Sequence, residues 1–551
     1  MRDVNDTWRK NATASLLIVV WYLFAWLAIR PLSDAPVVDS WIYQHAVKAP
    51  WRAGRPNFAG FTKAMPVGQV LYGVLWTRLF GSTSASFDLS VAVAGAAGAL
   101  MMYALARRCG AQHSSALLAT ALLVCNPCYL FLSFSFMSEV PFLTLLIGCN
   151  LAFACADGAR NEGRWIWLAA ALGVAAFTIR PFGAAAILGM AIAMLLYERR
   201  PSDGRAIARR LIPVATALVA CAAFWIWVTR ENQSWSLELN ELAIRNYFFL
   251  VPALGYFKGW LIGPLLYLGL VLAPLALVHA VTSWRRAVPL ALIIFALAIV
   301  LTAIDDHLVW KIPECKCFGG WPGALVVNGM PENFHWHGAT GWIVAALAST
   351  GAAGLCVVAM EVIPRMGRAA AAVALTAAIY WAGILPLWFF SDRYDLVMVP
   401  AGCLLLAIAP LRRGHTPTTR TITLTVAAAM TTMMGLLSLG GVYAYQRGAQ
   451  SVVEARDALI SKGVLRDEID AGYSLNGEDL YRYPAAGIDT QSDEPGIPMI
   501  TSAKMSLYTI AAAPQLDADV IKRFSWPGAF GFGQRPLYVL HRLSGKSAPC
   551  R

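Results

Sequence analysis

Charge is what this chain has least of: Asp, Glu, Lys and Arg together make up 14% of its 551 residues, against 58% hydrophobic. Soluble globular domains carry about a quarter of their residues as charges, so that class is excluded and an integral membrane protein is implied. There is no Gly-rich phosphate loop, no zinc-protease helix and no nucleophile elbow, so these three chemistries have no motif to rest on. Nor is there an internal repeat. The first apolar run has no small-residue cleavage site and is followed by many more, which makes it an uncleaved first helix.

What is present in quantity is apolar sequence. A spanning helix needs roughly 20 mostly apolar residues, and about thirteen such runs precede residue 446, joined by polar or basic connections. The formal net charge of +12 would suit a nucleic-acid partner, but topology accounts for it without one. With Arg2, Arg9 and Lys10 placed in the cytoplasm, every second connection is basic: Arg107-Arg108, Arg160 with Arg164, Arg199 to Arg210, Arg285-Arg286, Arg365 with Arg368, and Arg412 to Arg420. No nucleic acid is required. The same alternation puts the C-terminal tail and the loops discussed next on the outer side.

The first outer loop, about residues 32 to 87, is far longer than a minimal connection, and long loops are usually functional. It opens with Ser33-Asp-Ala-Pro-Val-Val-Asp-Ser-Trp-Ile-Tyr43, whose acids Asp34 and Asp39 lie just past an apolar run. Further on, Trp41, Tyr43, Trp51, Phe58 and Phe61 alternate with Lys48, Arg52, Arg55 and Lys63, as in short helices lying in the membrane interface. Other charges stand against long apolar flanks. Glu139 is either an exposed acid at a helix N-terminus or a buried one with a partner. Arg180, before Pro181-Phe-Gly183, either snorkels to headgroups or binds phosphate. Arg393, between Asp392 and Asp395, either forms a surface ion pair with them or binds an anion.

Eleven cysteines are present. Most lie in or beside spans as small hydrophobes, whereas Cys315, Cys317 and Cys550 would face an oxidising compartment, where a disulfide could tie the tail to the outer loop of about residues 304 to 340. That loop also carries Asp305-Asp-His307 and His335-Trp-His337. No spacing there matches a closed zinc site. Past residue 446 the composition turns polar. A helix at about 449 to 462 and strand-like runs at Met499–Thr501, Ser506–Ile510 and Arg535–Leu540 read as a small soluble α/β domain, giving boundaries of 1–445 and 446–551.

Asp39-Ser-Trp-Ile-Tyr43, Phe61-Thr-Lys-Ala-Met-Pro-Val-Gly-Gln69, Asn126-Pro with Phe136-Met-Ser-Glu-Val-Pro-Phe142, Arg180-Pro-Phe-Gly183 and Asp392-Arg-Tyr394 together resemble the multispanning GT-C glycosyltransferases. The likeness is to the bacterial branch of protein O-mannosyltransferase-like enzymes, lipid A aminoarabinose transferase and rhizobial galacturonosyltransferases, over about residues 12 to 445 by motif order and span count. The resemblance implies an all-α polytopic fold of about thirteen transmembrane helices, with interfacial helices in the first outer loop and a small α/β C-terminal outer domain. It also implies an inverting transfer of a sugar from a polyprenyl-phosphate donor to a hydroxyl acceptor on a glycan, lipid or protein. The setting would be the outer face of a bacterial inner membrane, with membrane lipids as the surroundings. By that likeness Asp39 is the base and Glu139 the second acid, while Tyr43, Lys63, Arg180, Arg393 and Tyr394 bind substrate. Relatives often have a second acid where this chain has Ser40, and Asp where it has Glu139. No cofactor is certain, although a divalent cation is compatible with the pattern. Asp34 then reads as a loop-capping acid. A lipid or glycan transporter is the rival class, opposed by charges gathered at loop ends and by the lack of paired broken helices. A non-catalytic homologue is the other alternative.

Overall fold

The computed structural model describes residues 2–29, 35–37, 39–49, 51–52, 55–56, 66–197, 204–231, 254–304, 338–385, 392–409, 417–480 and 506–542. Asp34, Lys63 and the cysteines at 315, 317 and 550 lie outside them.

The chain is mostly helical, and among the described residues six helices are long and apolar enough to cross a membrane. Two bent pairs raise the number to eight, so the described chain supports a multi-pass protein without reaching thirteen spans. The difference has a physical source. Several apolar runs fold as helices too short to span on their own, among them Ala184–Leu196, Arg368–Ile384 and Val399–Ile408. Another, which reads as one span over about residues 115 to 132, is broken into His113–Cys125 and Pro127–Ser133, bent by 66°. Asn126 makes the break. Its side chain caps the second helix, accepting from the backbone N–H of Cys128 at 2.8 Å and of Tyr129 at 3.2 Å, while Pro127 cannot continue the first.

The spans divide by what surrounds them. Trp8–Ile29 leaves Leu16, Leu23 and Leu27 exposed, as a lipid-facing helix does, whereas 83% of the residues of Glu139–Ala156 are buried and the helix is wrapped by protein. It packs between Ser84–Arg108 and Glu162–Ile179. The first long loop folds as a short helix, Ser40–Lys48, a two-residue hairpin of Trp51–Arg52 with Arg55–Pro56, and a second helix, Val67–Phe80. That second helix buries Gln69 and Val70 while exposing Leu71, Leu75 and Leu79, a stripe at the i, i+4 spacing of one helix face.

The last long helix, Pro417–Ile460, runs unbroken through residue 446 and takes the place of two expected segments. The change to polar composition there brings no proline, and Gly440, Gly441 and Gly448 weaken the helix without stopping it, so the backbone continues while its surroundings change. It leads to a four-stranded sheet in the order Ile469–Asp470, Tyr508–Ala511, Gln534–Arg542, Ala518–Pro527. The first pairing is parallel and the other two antiparallel. The edge strand Ala518–Pro527 has an irregularity between Val520 and Lys522 and alternates too weakly to stand out in the sequence. A short helix, Tyr473–Leu480, follows the first strand.

Candidate active site

Four segments far apart in the chain meet at one end of the Glu139–Ala156 span. Asp39 stands at the N-cap position of Ser40–Lys48, where an aspartate ordinarily accepts a backbone N–H, yet its side chain makes no capping bond. It accepts instead from Arg393 Nη1 at 2.9 Å. Local order comes from Ser40, whose hydroxyl accepts the Val37 N–H at 2.6 Å and whose own N–H reaches the Val37 carbonyl at 2.9 Å. The residue that replaces a second acid thus holds the turn that presents Asp39.

Tyr43 lies one helical turn along and is buried, its hydroxyl 3.5 Å from Ser138 Oγ. Burial pushes its phenol up to about 12, against the pull of the nearby Arg180 cation, so Tyr43 is a neutral hydroxyl at physiological pH.

Glu139 opens its helix, where an acid complements the positive end of the helix dipole. The exposed alternative is overturned: the side chain is only 2% exposed. Arg180 Nη2 donates to Glu139 Oε1 at 2.5 Å, and Arg393 Nε stands 3.6 Å from the same oxygen. Glu139 Oε2 is buried with no hydrogen-bond partner among the described residues. A carboxylate oxygen left so is costly unless something else meets it.

Arg180 is presented by a turn that the local sequence dictates. It is extended, at φ −145° and ψ 133°, as the residue before a proline prefers. Gly183 closes the turn, and a Cβ there would lie 2.2 Å from the Phe177 nitrogen, so only glycine fits. Besides Glu139, Arg180 donates through Nε to Ser138 Oγ at 3.0 Å. Burial is the largest single influence and disfavours the guanidinium charge, but Glu139 together with Tyr43 and Tyr394 outweighs it and the pKa rises. Arg180 is therefore a permanent cation, held by protein with 10% of its side chain exposed.

Arg393 and Tyr394 come from the short Asp392–Asp395 helix. Both guanidinium groups lie over the Tyr394 ring, Arg180 at 5.7 Å and Arg393 at 5.4 Å from its centroid. Tyr380 fixes this turn by donating its hydroxyl to the Tyr394 carbonyl at 2.9 Å. Asp39 is the accessible member of the group, with 24% of its side chain exposed.

Six of the seven expected site residues therefore converge, and Lys63 lies outside the described residues. Sequence reasoning missed Ser138, which joins Tyr43 to Arg180, and Tyr380. Ser138 stands next to the singled-out Glu139, which was a signal; Tyr380, inside an apolar helix, gave none. Among the described residues no three of His, Cys, Asp and Glu gather as a metal-holding group. Chemically the cluster offers one reachable carboxylate, a buried carboxylate with a spare oxygen, two fixed cations and a neutral phenol.

Residues 66–227 match the family model described as dolichyl-phosphate-mannose-protein mannosyltransferase. A search of curated proteins gives no match. Among solved structures, ArnT from Cupriavidus metallidurans bound to undecaprenyl phosphate is 14% identical and covers 97% of this chain and 99% of its own, at a TM-score of 0.48. Archaeal oligosaccharyltransferase AglB from Archaeoglobus fulgidus, in complex with an inhibitory peptide and a dolichol-phosphate, is 12% identical over 88% of this chain and 61% of its own, at 0.41. The S. cerevisiae Pmt1-Pmt2 complex bound to its sugar donor is 13% identical over 40% and 33%, at 0.33. No residue of this chain takes its role from these three.

Proposed function

We propose, on the match of residues 66–227 to the mannosyltransferase family model, that this chain is a glycosyltransferase of the GT-C superfamily and transfers a sugar from a polyprenyl-phosphate donor to a hydroxyl acceptor with inversion. The observation that carries the reading is Asp39: an acid at a helix start that leaves capping undone, stays partly exposed and lies within an ion pair of the two-arginine cluster.

In the reaction the acceptor oxygen attacks the anomeric carbon from the face opposite the phosphate. The bond from that carbon to the phosphate oxygen breaks, and its electron pair leaves with the prenyl phosphate. Asp39 takes the proton of the attacking hydroxyl. Arg180 and Arg393 stabilise the charge on the departing phosphate through N–H donors beyond those given to carboxylates, with Lys63 as a third cation. A phosphate leaves readily without a general acid. Glu139 holds the arginines in place, and its free Oε2 orients a substrate hydroxyl; Tyr43 and Tyr394 line the sugar site.

The site is assigned to the outer face of a bacterial inner membrane. The Ser84–Arg108 span supports this, because Ser84 at its start donates to Gln44 Oε1 of the site helix at 3.0 Å and its other end carries Arg107-Arg108. At that far end Glu162 pairs with Arg210 and Arg368, both at 3.1 Å, in keeping with a basic cytoplasmic side. The leucine stripe of Val67–Phe80 suits a helix in the interface, and the sheet that follows Pro417–Ile460 belongs to the outer domain.

The test is release of undecaprenyl phosphate from undecaprenyl-phosphate-linked sugars by purified protein in native envelope lipids. Asp39→Asn is expected to lower the rate by 10²-fold or more, in the range of a lost general base. Undiminished transfer by this variant refutes the assigned base, and lipid movement without any glycosylated product favours a transporter.

A further inference from the structure

The Ser40–Lys48 helix begins at Asp39 and carries Tyr43, so whatever fixes it fixes the site. Its opposite face is held by the Tyr473–Leu480 helix of the C-terminal region, some 430 residues further along the chain. Trp41 is completely buried there, and the backbone of Gly477 lies flat against it: a Cβ at Gly477 would sit 2.3 Å from the indole ring. Next to that contact, Glu478 spans two basic side chains of the site helix, with Lys48 Nζ 3.1 Å from Oε1 and His45 Nε2 3.2 Å from Oε2. Trp41 and His45 meet edge to face at 6.1 Å, so the three grip points form one continuous surface.

The gripping helix is itself anchored. Asn476 accepts the Ala471 N–H at 2.8 Å and donates to Asp470 at 2.8 Å, which locks the helix to the first strand of the sheet. Asp479 is held by Arg456 at 3.1 Å and also by Arg466. Arg456 belongs to Pro417–Ile460, the helix that arrives from the membrane. A chain of close contacts therefore runs from the last span, through Arg456 and Asp479, across Glu478, to the helix that starts at Asp39. Asp39 itself gives its helix no capping bond, so contacts from outside the segment add to the hold of the Ser40 turn.

We infer that the Tyr473–Leu480 helix is a positioning element for the site, with Glu478 as its positioning residue acting on Asp39 and Tyr43 through Lys48 and His45. The inference rests on the function proposed above. It assigns the C-terminal region a part in the transfer step without any contact to substrate. Loosening the grip lets Asp39 swing away from the attacking hydroxyl, while the arginines, carried on other segments, keep their hold on phosphate. The consequence is a lower kcat at an unchanged affinity for the lipid phosphate.

The experiment uses full-length protein in native envelope lipids at pH 8 and compares Glu478→Gln, Glu478→Lys, Lys48→Glu and the Lys48→Glu/Glu478→Lys exchange. Each is assayed for release of undecaprenyl phosphate from linked sugars, for affinity towards undecaprenyl phosphate alone, and for thermal midpoint. Expected are a fall in kcat of ten-fold or more for the two charge reversals, a smaller fall for Glu478→Gln, and lipid-phosphate affinities within two-fold of wild type. The exchange variant is expected to recover to within about three-fold of wild-type kcat, because it rebuilds the pair with its signs inverted. Unchanged kcat in Glu478→Gln and Glu478→Lys overturns the inference, as does loss of turnover and lipid affinity together with no recovery in the exchange variant. If the wild type releases no undecaprenyl phosphate, the proposed function falls; a working wild type with indifferent variants sinks this inference alone.

Discussion

The ion pair between Arg180 and Glu139 gives the sharpest test of how the site is held together. Glu139 is 2% exposed and Arg180 10%, and they meet at 2.5 Å, so neither charge has water to fall back on. Removing one partner of such a pair strands the other, which costs about 3–5 kcal/mol in buried settings. Arg180→Met strands Glu139 and withdraws the Nε donor from Ser138. Arg393, already 3.6 Å from Glu139 Oε1, can move in, which places the expected loss near the lower end, about 3 kcal/mol. Glu139→Gln strands Arg180 over the Tyr394 ring with a similar loss. The double variant Arg180→Met/Glu139→Gln removes both charges together and is expected to be less destabilised than the sum of the singles by about 2 kcal/mol or more. Unfolding of the purified protein in detergent, followed for all four proteins under one condition, measures that coupling. Additive losses would show that the two groups do not depend on each other and would refute the picture of a desolvated pair.

Two further outcomes follow from buried polar groups. Gln69 is fully buried with both side-chain atoms unpaired among the described residues, so Gln69→Leu removes an amide whose desolvation costs about 1–3 kcal/mol and is expected to leave the thermal midpoint unchanged or raised; a clear drop contradicts this. Glu478 ordinarily titrates at 4.5; although burial alone would raise it, His45 and Lys48 bring it down to about 2. A carboxylate with a depressed folded pKa contributes stability that is complete above its unfolded pKa and lost as pH falls through the folded one. The contribution, about 3 kcal/mol at most, is therefore present at pH 7 and fades between about pH 4.5 and 2. The stability gap between wild type and Glu478→Gln is expected to close over that window, and a gap independent of pH would refute the assignment.

The candidate site was legible where physics makes residues conspicuous. Asp39, Glu139, Arg180 and Arg393 stand out because a charge beside an apolar run is expensive unless employed, whereas Tyr43 stands out only through the resemblance, which puts a tyrosine four positions after the acid. What remained hidden was who meets whom. Arg393 lies 354 residues from Asp39, and between its neighbours Asp392 and Asp395 and that distant acid the sequence offers no ground for choice. Ser40 looked like a lost acid and turns out to build the turn beneath Asp39. The number of spans was hidden for another reason: an apolar run states that a segment avoids water, and it does so equally for a full span, for Val399–Ile408, and for the two halves bent at Asn126. The continuity of Pro417–Ile460 escaped because composition was read as a domain edge where no residue breaks the helix.

The arrangement of the charges bears on how a donor phosphate would be held. Arg180 and Arg393 are matched by Glu139 and Asp39, so the charges of these four side chains cancel before any ligand arrives. Attraction for an anion cannot then come from net charge in this group. It has to come from geometry, since a guanidinium carries five N–H donors in a fixed fork and can serve a carboxylate and a phosphate from different edges. A lysine in either position would have a compact point charge to divide between two anions. The carboxylates do more than neutralise: Glu139 fixes the plane of Arg180, with Ser138 and the Tyr394 ring completing the support, and Arg393 keeps Glu139 and the Tyr394 ring beside it in addition to its bond to Asp39. Under the proposed function the pair on Arg393 also links the two halves of the chemistry. A phosphate that draws on Arg393 shares the cation that steadies Asp39, so the arriving donor loosens the ion pair on the carboxylate that meets the acceptor.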